Sequence, residues 1–141
     1  MANWFECKVR YEKLQENGAA KKVNEPYLVD ALSFTEAEAR ITEEQKPFIS
    51  GEFTVSAIKS TKIAEIFWDE TGDRWYLVKV AFITIDEKTA SEKRSVSQIL
   101  VQAANFRHAL ERLEEGMKGT MADYEIVSIN ETPLMDVYKM K

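Results

Sequence analysis

The sequence predicts an α+β fold built by tandem duplication of a strand-strand-helix-strand-strand unit, giving an antiparallel sheet with two helices packed on it. Three observations predict it. The chain aligns with itself at a nearly constant offset, its strand candidates alternate apolar and polar residues, and each half contains one amphipathic stretch with a helix cap at its start.

The self-alignment sets the organisation. At an offset of 71, Trp4-Phe5 falls on Trp75-Tyr76, and Lys8-Val9 on Lys79-Val80. At an offset of 72, Leu28, Val29, Ala31, Phe34 and Ala37 fall on Leu100, Val101, Ala103, Phe106 and Ala109. The offset of 71 then returns, matching Phe53, Val55, Ile58 and Thr61 to Tyr124, Ile126, Ile129 and Thr132. One compensated slip in an otherwise ordered series implies two repeats, 4–67 and 75–138, within a single compact domain spanning residues 1–141.

In the first repeat, Phe5, Cys7, Val9 and Tyr11 alternate with Trp4, Glu6, Lys8, Arg10 and Glu12, the period of a half-buried strand. Asn17-Gly18 is a turn signal. A second strand is expected over about 21–31, with Pro26 favouring an edge or a bulge because it has no N–H to donate. Ser33-Phe34-Thr35-Glu36 has the spacing of a capping box. The helix it opens carries Phe34, Ala37, Ile41 and Phe48 on one face and ends by Pro47. Strands over 52–60 and 62–68 complete the repeat. In the second repeat, strands over 74–86 and 93–103 flank an exposed loop, 87–92. Asn105 caps a helix with Phe106, Ala109, Leu110, Leu113 and Met117 as its apolar stripe, and Gly116 or Gly119 stops it. Strands over 124–130 and 134–138 follow.

Composition bounds the function. The chain has 141 residues, 45% of them hydrophobic and 30% charged, the profile of an ordinary globular domain. No stretch approaches the roughly 20 apolar residues of a membrane helix, and the start has neither a basic nor an apolar leader region, so a cytoplasmic location without membrane contact is expected. The single cysteine, Cys7, agrees with a reducing compartment. The formal net charge of −5 argues against broad adhesion to polyanions while leaving room for a local basic surface.

No constellation of residues indicates catalysis. Cys7 lies on the apolar side of its strand and reads as a small buried hydrophobe. His108 reads as a solvated surface residue with no cysteine partner. Asp69-Glu70-Thr71-Gly72-Asp73 lacks the ligand spacing of a calcium loop and reads as the turn between repeats. Nucleotide-hydrolysis loops, dinucleotide fingerprints and zinc spacings are missing from the sequence. No enzyme activity, no cofactor and no metal are expected.

One surface offers chemistry. Trp4, Lys8 and Arg10 share a strand face, as do Trp75 and Lys79 in the second repeat. Rings to stack on bases and cations to follow a backbone are what single-stranded nucleic acid binders use. These five residues are therefore the candidate site for single-stranded nucleic acid or a nucleotide. The competing expectation is that the same apolar-aromatic surface, or the edge near Pro26, serves a homodimer or another protein partner in a homo-oligomer or assembly module. Leu77, Ala81, Ile83 and Ile85 on that face of the second repeat favour it.

The order of four strands then a helix, read across the junction of the repeats, resembles the transcriptional coactivator PC-four, Whirly and Pur-type single-strand-binding modules. The stretches Asn3-Trp4-Phe5-Glu6-Cys7-Lys8-Val9-Arg10-Tyr11, 23–31 with 33–40, and 115–124 resemble an uncharacterised domain-of-unknown-function family of gut anaerobic bacteria, their prophages and phages. That resemblance covers residues 3–138. It implies a small phage-related or mobile-element accessory protein and carries over no catalytic residue.

Overall fold

The computed structural model describes residues 3–139, which form eight strands and two helices. In chain order these are β1 (Trp4–Leu14), β2 (Ala20–Asp30), α1 (Phe34–Gln45), β3 (Phe53–Ser60), β4 (Ile63–Phe67), β5 (Arg74–Asp86), β6 (Ser91–Ala103), α2 (Phe106–Gly116), β7 (Asp123–Glu131) and β8 (Asp136–Tyr138). The α+β class is as expected. The expected antiparallel sheet is instead two four-stranded mixed sheets, in two compact units: Met1–Thr61 with Pro133–Lys141, and Lys62–Thr132.

In the first unit the strand order is β3-β1-β2-β8. Strands β1 and β2 pair antiparallel from Trp4 opposite Asp30 to Leu14 opposite Ala20. The turn between them is wider than a two-residue hairpin: the Gln15 N–H donates to the Ala19 carbonyl at 2.8 Å, and Gly18 takes the left-handed φ of 84° that favours glycine. Alternation puts Phe5, Cys7, Val9, Tyr27 and Val29 on the side of α1, where they are buried with Ala37 and Ile41. Each large apolar side chain so buried contributes about 1.5–3 kcal/mol. The Ser33 Oγ accepts the Glu36 N–H at 3.1 Å, as the capping spacing predicts.

Two members of the expected α1 stripe, Phe34 and Phe48, are exposed. The inward face runs Ala37, Ile41, Gln45, and Phe48 lies beyond the helix end. Buried Gln45 is satisfied by donating from Nε2 to the Tyr138 hydroxyl at 3.0 Å. Pro26 occupies an interior strand, opposite Lys8, rather than an edge. Its carbonyl accepts the Met135 N–H at 2.9 Å, so it faces β8. The N and carbonyl of a strand residue face the same side, so the β1–β2 ladder needs no N–H from Pro26.

In the second unit the order is β4-β6-β5-β7. Strands β5 and β6 pair from Arg74 opposite Ala103 to Asp86 opposite Ser91, so the expected loop at 87–92 shortens to 87–90. Tyr76, Val78, Val80, Ile99 and Val101 pack with Ala109, Leu113 and Met117 of the α2 segment, while Phe106 is exposed. The Asn105 Oδ1 caps α2 by accepting the His108 N–H at 2.9 Å. Helix α2 ends at Gly116, where an added Cβ would fall 2.5 Å from the Phe67 ring.

The sheets are mixed because the last strand of each repeat runs parallel in the sheet of the other unit. Strand β8 lies against β2, with Leu28 opposite Val137, and β4 lies against β6, with Leu100 opposite Ile66. Only Thr61-Lys62 separates β3 from β4, without the Gly or Asn that a tight reversal requires. Thr61 is pinned instead: its N–H and Oγ1 donate to the Trp4 carbonyl at 3.0 and 2.8 Å. Thr132 does the same to the Trp75 carbonyl at 2.8 and 2.9 Å. A bulge also recurs, at Lys8/Val9 against β3 and at Lys79/Val80 against β7.

Candidate functional site

The expected ligand-binding residues divide between the two sheets. Trp4, Lys8 and Arg10 lie on β1, on the face away from α1. Trp75 and Lys79 lie on β5, on the face away from α2. Both tryptophans are buried, Trp4 at 8% and Trp75 at 3% exposure. Trp75 meets Trp68 edge-to-face, with centroids 5.5 Å apart. A ring held this way offers no open face to a base. The three cations are exposed: Lys8 opposite Pro26 and Ala57, Arg10 opposite Asn24 and Thr54, and Lys79 opposite Gln98 and Ser128.

The outer face of the second sheet carries an apolar strip. Val96 is 58% exposed and stands opposite the small Ala81, and Ile85 is 69% exposed at the end of β5. Half-buried Ile83 lies between them along the strand. Val127, the residue extruded by the β7 bulge, is also exposed. Arg94 and Glu125 join at 2.7 Å from the strands on either side of β5, so a charged bridge crosses the strip. The period-two pattern places Ala81, Ile83 and Ile85 on this face and reads them as covered; Ala81 is buried, Ile83 half-buried, and Ile85 exposed.

A polar cluster in the second unit was not legible in the sequence. The Asp69 Oδ1 accepts from the Thr71 Oγ1 at 2.6 Å and the Thr71 N–H at 3.0 Å. Its Oδ2 lies 3.0 Å from His108 Nε2 and 3.2 Å from Arg112 Nε. The His108 Nδ1 accepts the Ala104 N–H at 2.9 Å, which puts the ring proton on Nε2 and aims it at Asp69. His108 is therefore half-buried and engaged, not solvated as expected. The Thr71 hydrogen bonds, followed by His108 and Arg112, hold the Asp69 carboxyl below the ordinary carboxylate range. The cluster fastens the 68–73 turn to α2. Gly72 completes it, since an added Cβ would meet the Ala103 backbone at 2.3 Å.

Cys7 is buried as expected, and burial, with Glu6 nearby, pushes its thiol up to about 12. A thiol so protonated is a poor nucleophile. Among the described residues, no three His, Cys, Asp or Glu side chains are placed to hold a metal ion, and no helix is long and apolar enough to cross a membrane.

Comparison with known proteins places these features in a family. The family described as Domain of unknown function (DUF4494) matches residues 3–140, and the chain belongs to it. No curated protein and no solved structure is significantly similar.

Proposed function

We propose that this member of the DUF4494 family is a non-enzymatic assembly module whose β5–β6–β7 outer face receives a second copy of the chain. The observation that carries this reading is the exposed strip of Ile85, Val96 and Val127 around Ala81. The open face of an antiparallel sheet is ordinarily polar, and several large apolar side chains left exposed on it mark a contact surface. The face carries both signs of charge: Arg94 and Glu125 pair across the strip at 2.7 Å, and Lys79 and Glu92 are exposed beside it. A twofold contact needs a self-complementary surface, and Lys79 and Glu92, which form no ion pair among the described residues, can each face the other's counterpart on the partner copy. Burial of Trp4 and Trp75 supports assembly over base stacking as the role of the aromatic residues. The protonated, buried Cys7 supports a role without nucleophilic catalysis. The resemblance to chains of gut anaerobes, their prophages and phages supports an accessory protein of a mobile element, working in the cytoplasm of such a cell.

Light scattering on the wild type and on an Ile85→Lys, Val96→Lys double variant tests the reading. The wild type is expected at twice the chain mass, and the variant at one chain mass with unchanged circular dichroism. A variant that still pairs would remove the strip from the interface, and an unpaired wild type would remove the proposal.

A further inference from the structure

We infer that the outer face of the first sheet binds a ligand combining phosphate with a flat ring, a nucleotide or a short single strand. This site is separate from the assembly face. Lys8, Arg10 and Lys22 are exposed on it, and among the described residues none of them forms an ion pair. Elsewhere in the same unit Lys13, Lys46 and Lys59 pair with Glu25, Glu43 and Glu6 at 4.0, 3.1 and 3.4 Å. In a chain of net charge −5, adjacent unneutralised cations on one face form a local anion-attracting field. Arg10 lies two residues from Lys8 along β1, about 7 Å. Lys22 is its diagonal neighbour on β2, since Glu12 stands opposite Lys22 and Asn24 opposite Arg10.

Neutral donors join them. The Ser56 Oγ lies 2.9 Å from the Asn24 Oδ1 and 3.3 Å from the Lys8 carbonyl, which places an exposed amide and a hydroxyl beside Lys8 and Arg10. An open groove of about 1020 Å³ runs from this face around the edge of β1 beyond its pairing with β3, lined by Arg10 and Lys22 from the outer face and by Tyr11, Phe53 and Phe48 from the α1 side. That volume lies at the upper end of roughly 300–1,000 Å³ for small-molecule sites. Phe48 is 75% exposed, and its backbone is held where the chain leaves α1, by its N–H donating to the Gln45 carbonyl at 3.0 Å. It supplies the stacking surface that Trp4 and Trp75 do not. Glu12 and Glu52 also line the groove. They repel phosphate but accept from base or sugar N–H and O–H groups, which favours a nucleotide over a bare phosphate.

The second unit is a built-in control. Lys79 keeps the place of Lys8, but Ala81 stands where Arg10 does, and Arg94, which takes the place of Lys22 in the ladder opposite Ile83, is paired with Glu125 at 2.7 Å.

The experiment is fluorescence anisotropy of a labelled oligothymidylate, with AMP and inorganic phosphate as competitors, on the full chain at low salt. Wild type is expected to bind and to weaken as salt rises. Arg10→Ala with Lys22→Ala weakens binding about tenfold or more, and Phe48→Ala about fivefold or more. Lys118→Ala, at an exposed cation of the second unit after α2, leaves it unchanged. Competition by AMP assigns a mononucleotide site, and resistance to AMP with retained variant effects assigns the strand; either upholds the inference. It is overturned by no binding, by equal competition from AMP and phosphate, by indifference to Phe48→Ala or the Arg10/Lys22 pair, or by an equal loss in Lys118→Ala.

Discussion

Asp69 concentrates much of the local chemistry that ties sequence-distant residues of the second unit together. Two bonds from Thr71 and the approach of His108 and Arg112 favour its charged form. Its folded pKa is therefore lowered, so its contribution to stability is fully present above the unfolded value, near 3.9, and is lost as pH falls through the folded value. Asp69→Asn should thus lower the urea midpoint at neutral pH, and its difference from wild type should shrink towards pH about 3. A constant difference across that range would assign the loss to geometry rather than charge. Cys7 could be placed from alternation alone, because one strand decides which way it points. His108 could not, because its partner is 39 residues away and only the tertiary fold brings them together.

Elements with local signals were legible. Ser33 and Asn105 cap their helices because each cap is closed by the N–H of a residue three positions on. The destinations of β4 and β8 were not legible, because strand pairing depends on partners far along the chain. What decides the route is in part Thr61 and Thr132, each donating twice to the carbonyl of a buried tryptophan. Replacing either threonine with valine keeps the N–H bond and the β-branched shape but removes one hydroxyl bond. Each change should cost about 1 kcal/mol, measured by urea denaturation, and the two should cost similar amounts. A cost only at one position would show that the matching geometries are not equivalent in energy.

For the molecule as a whole, the two sheets share a strand order, a bulge and a pinned threonine at matching places. The repeats and the compact units nevertheless differ in extent. A fragment of residues 62–132 keeps all four strands of its sheet, whereas a fragment of residues 4–67 lacks β8 and leaves the outer edge of β2 open. Circular dichroism and thermal melts should show cooperative unfolding for the first and not for the second. The aromatic-basic site was only partly legible: alternation placed Lys8 and Arg10 on an outer face, but it could not reveal that the tryptophans beside them are buried. Nor could it show that Phe48, assigned to a helix stripe, points into a groove.

Sedimentation equilibrium of the wild-type chain across a dilution series tests assembly through the β5–β6–β7 strip most directly. A reversible species of twice 16.2 kDa that dissociates on dilution is the predicted result. A mass of 16.2 kDa at every concentration would contradict it.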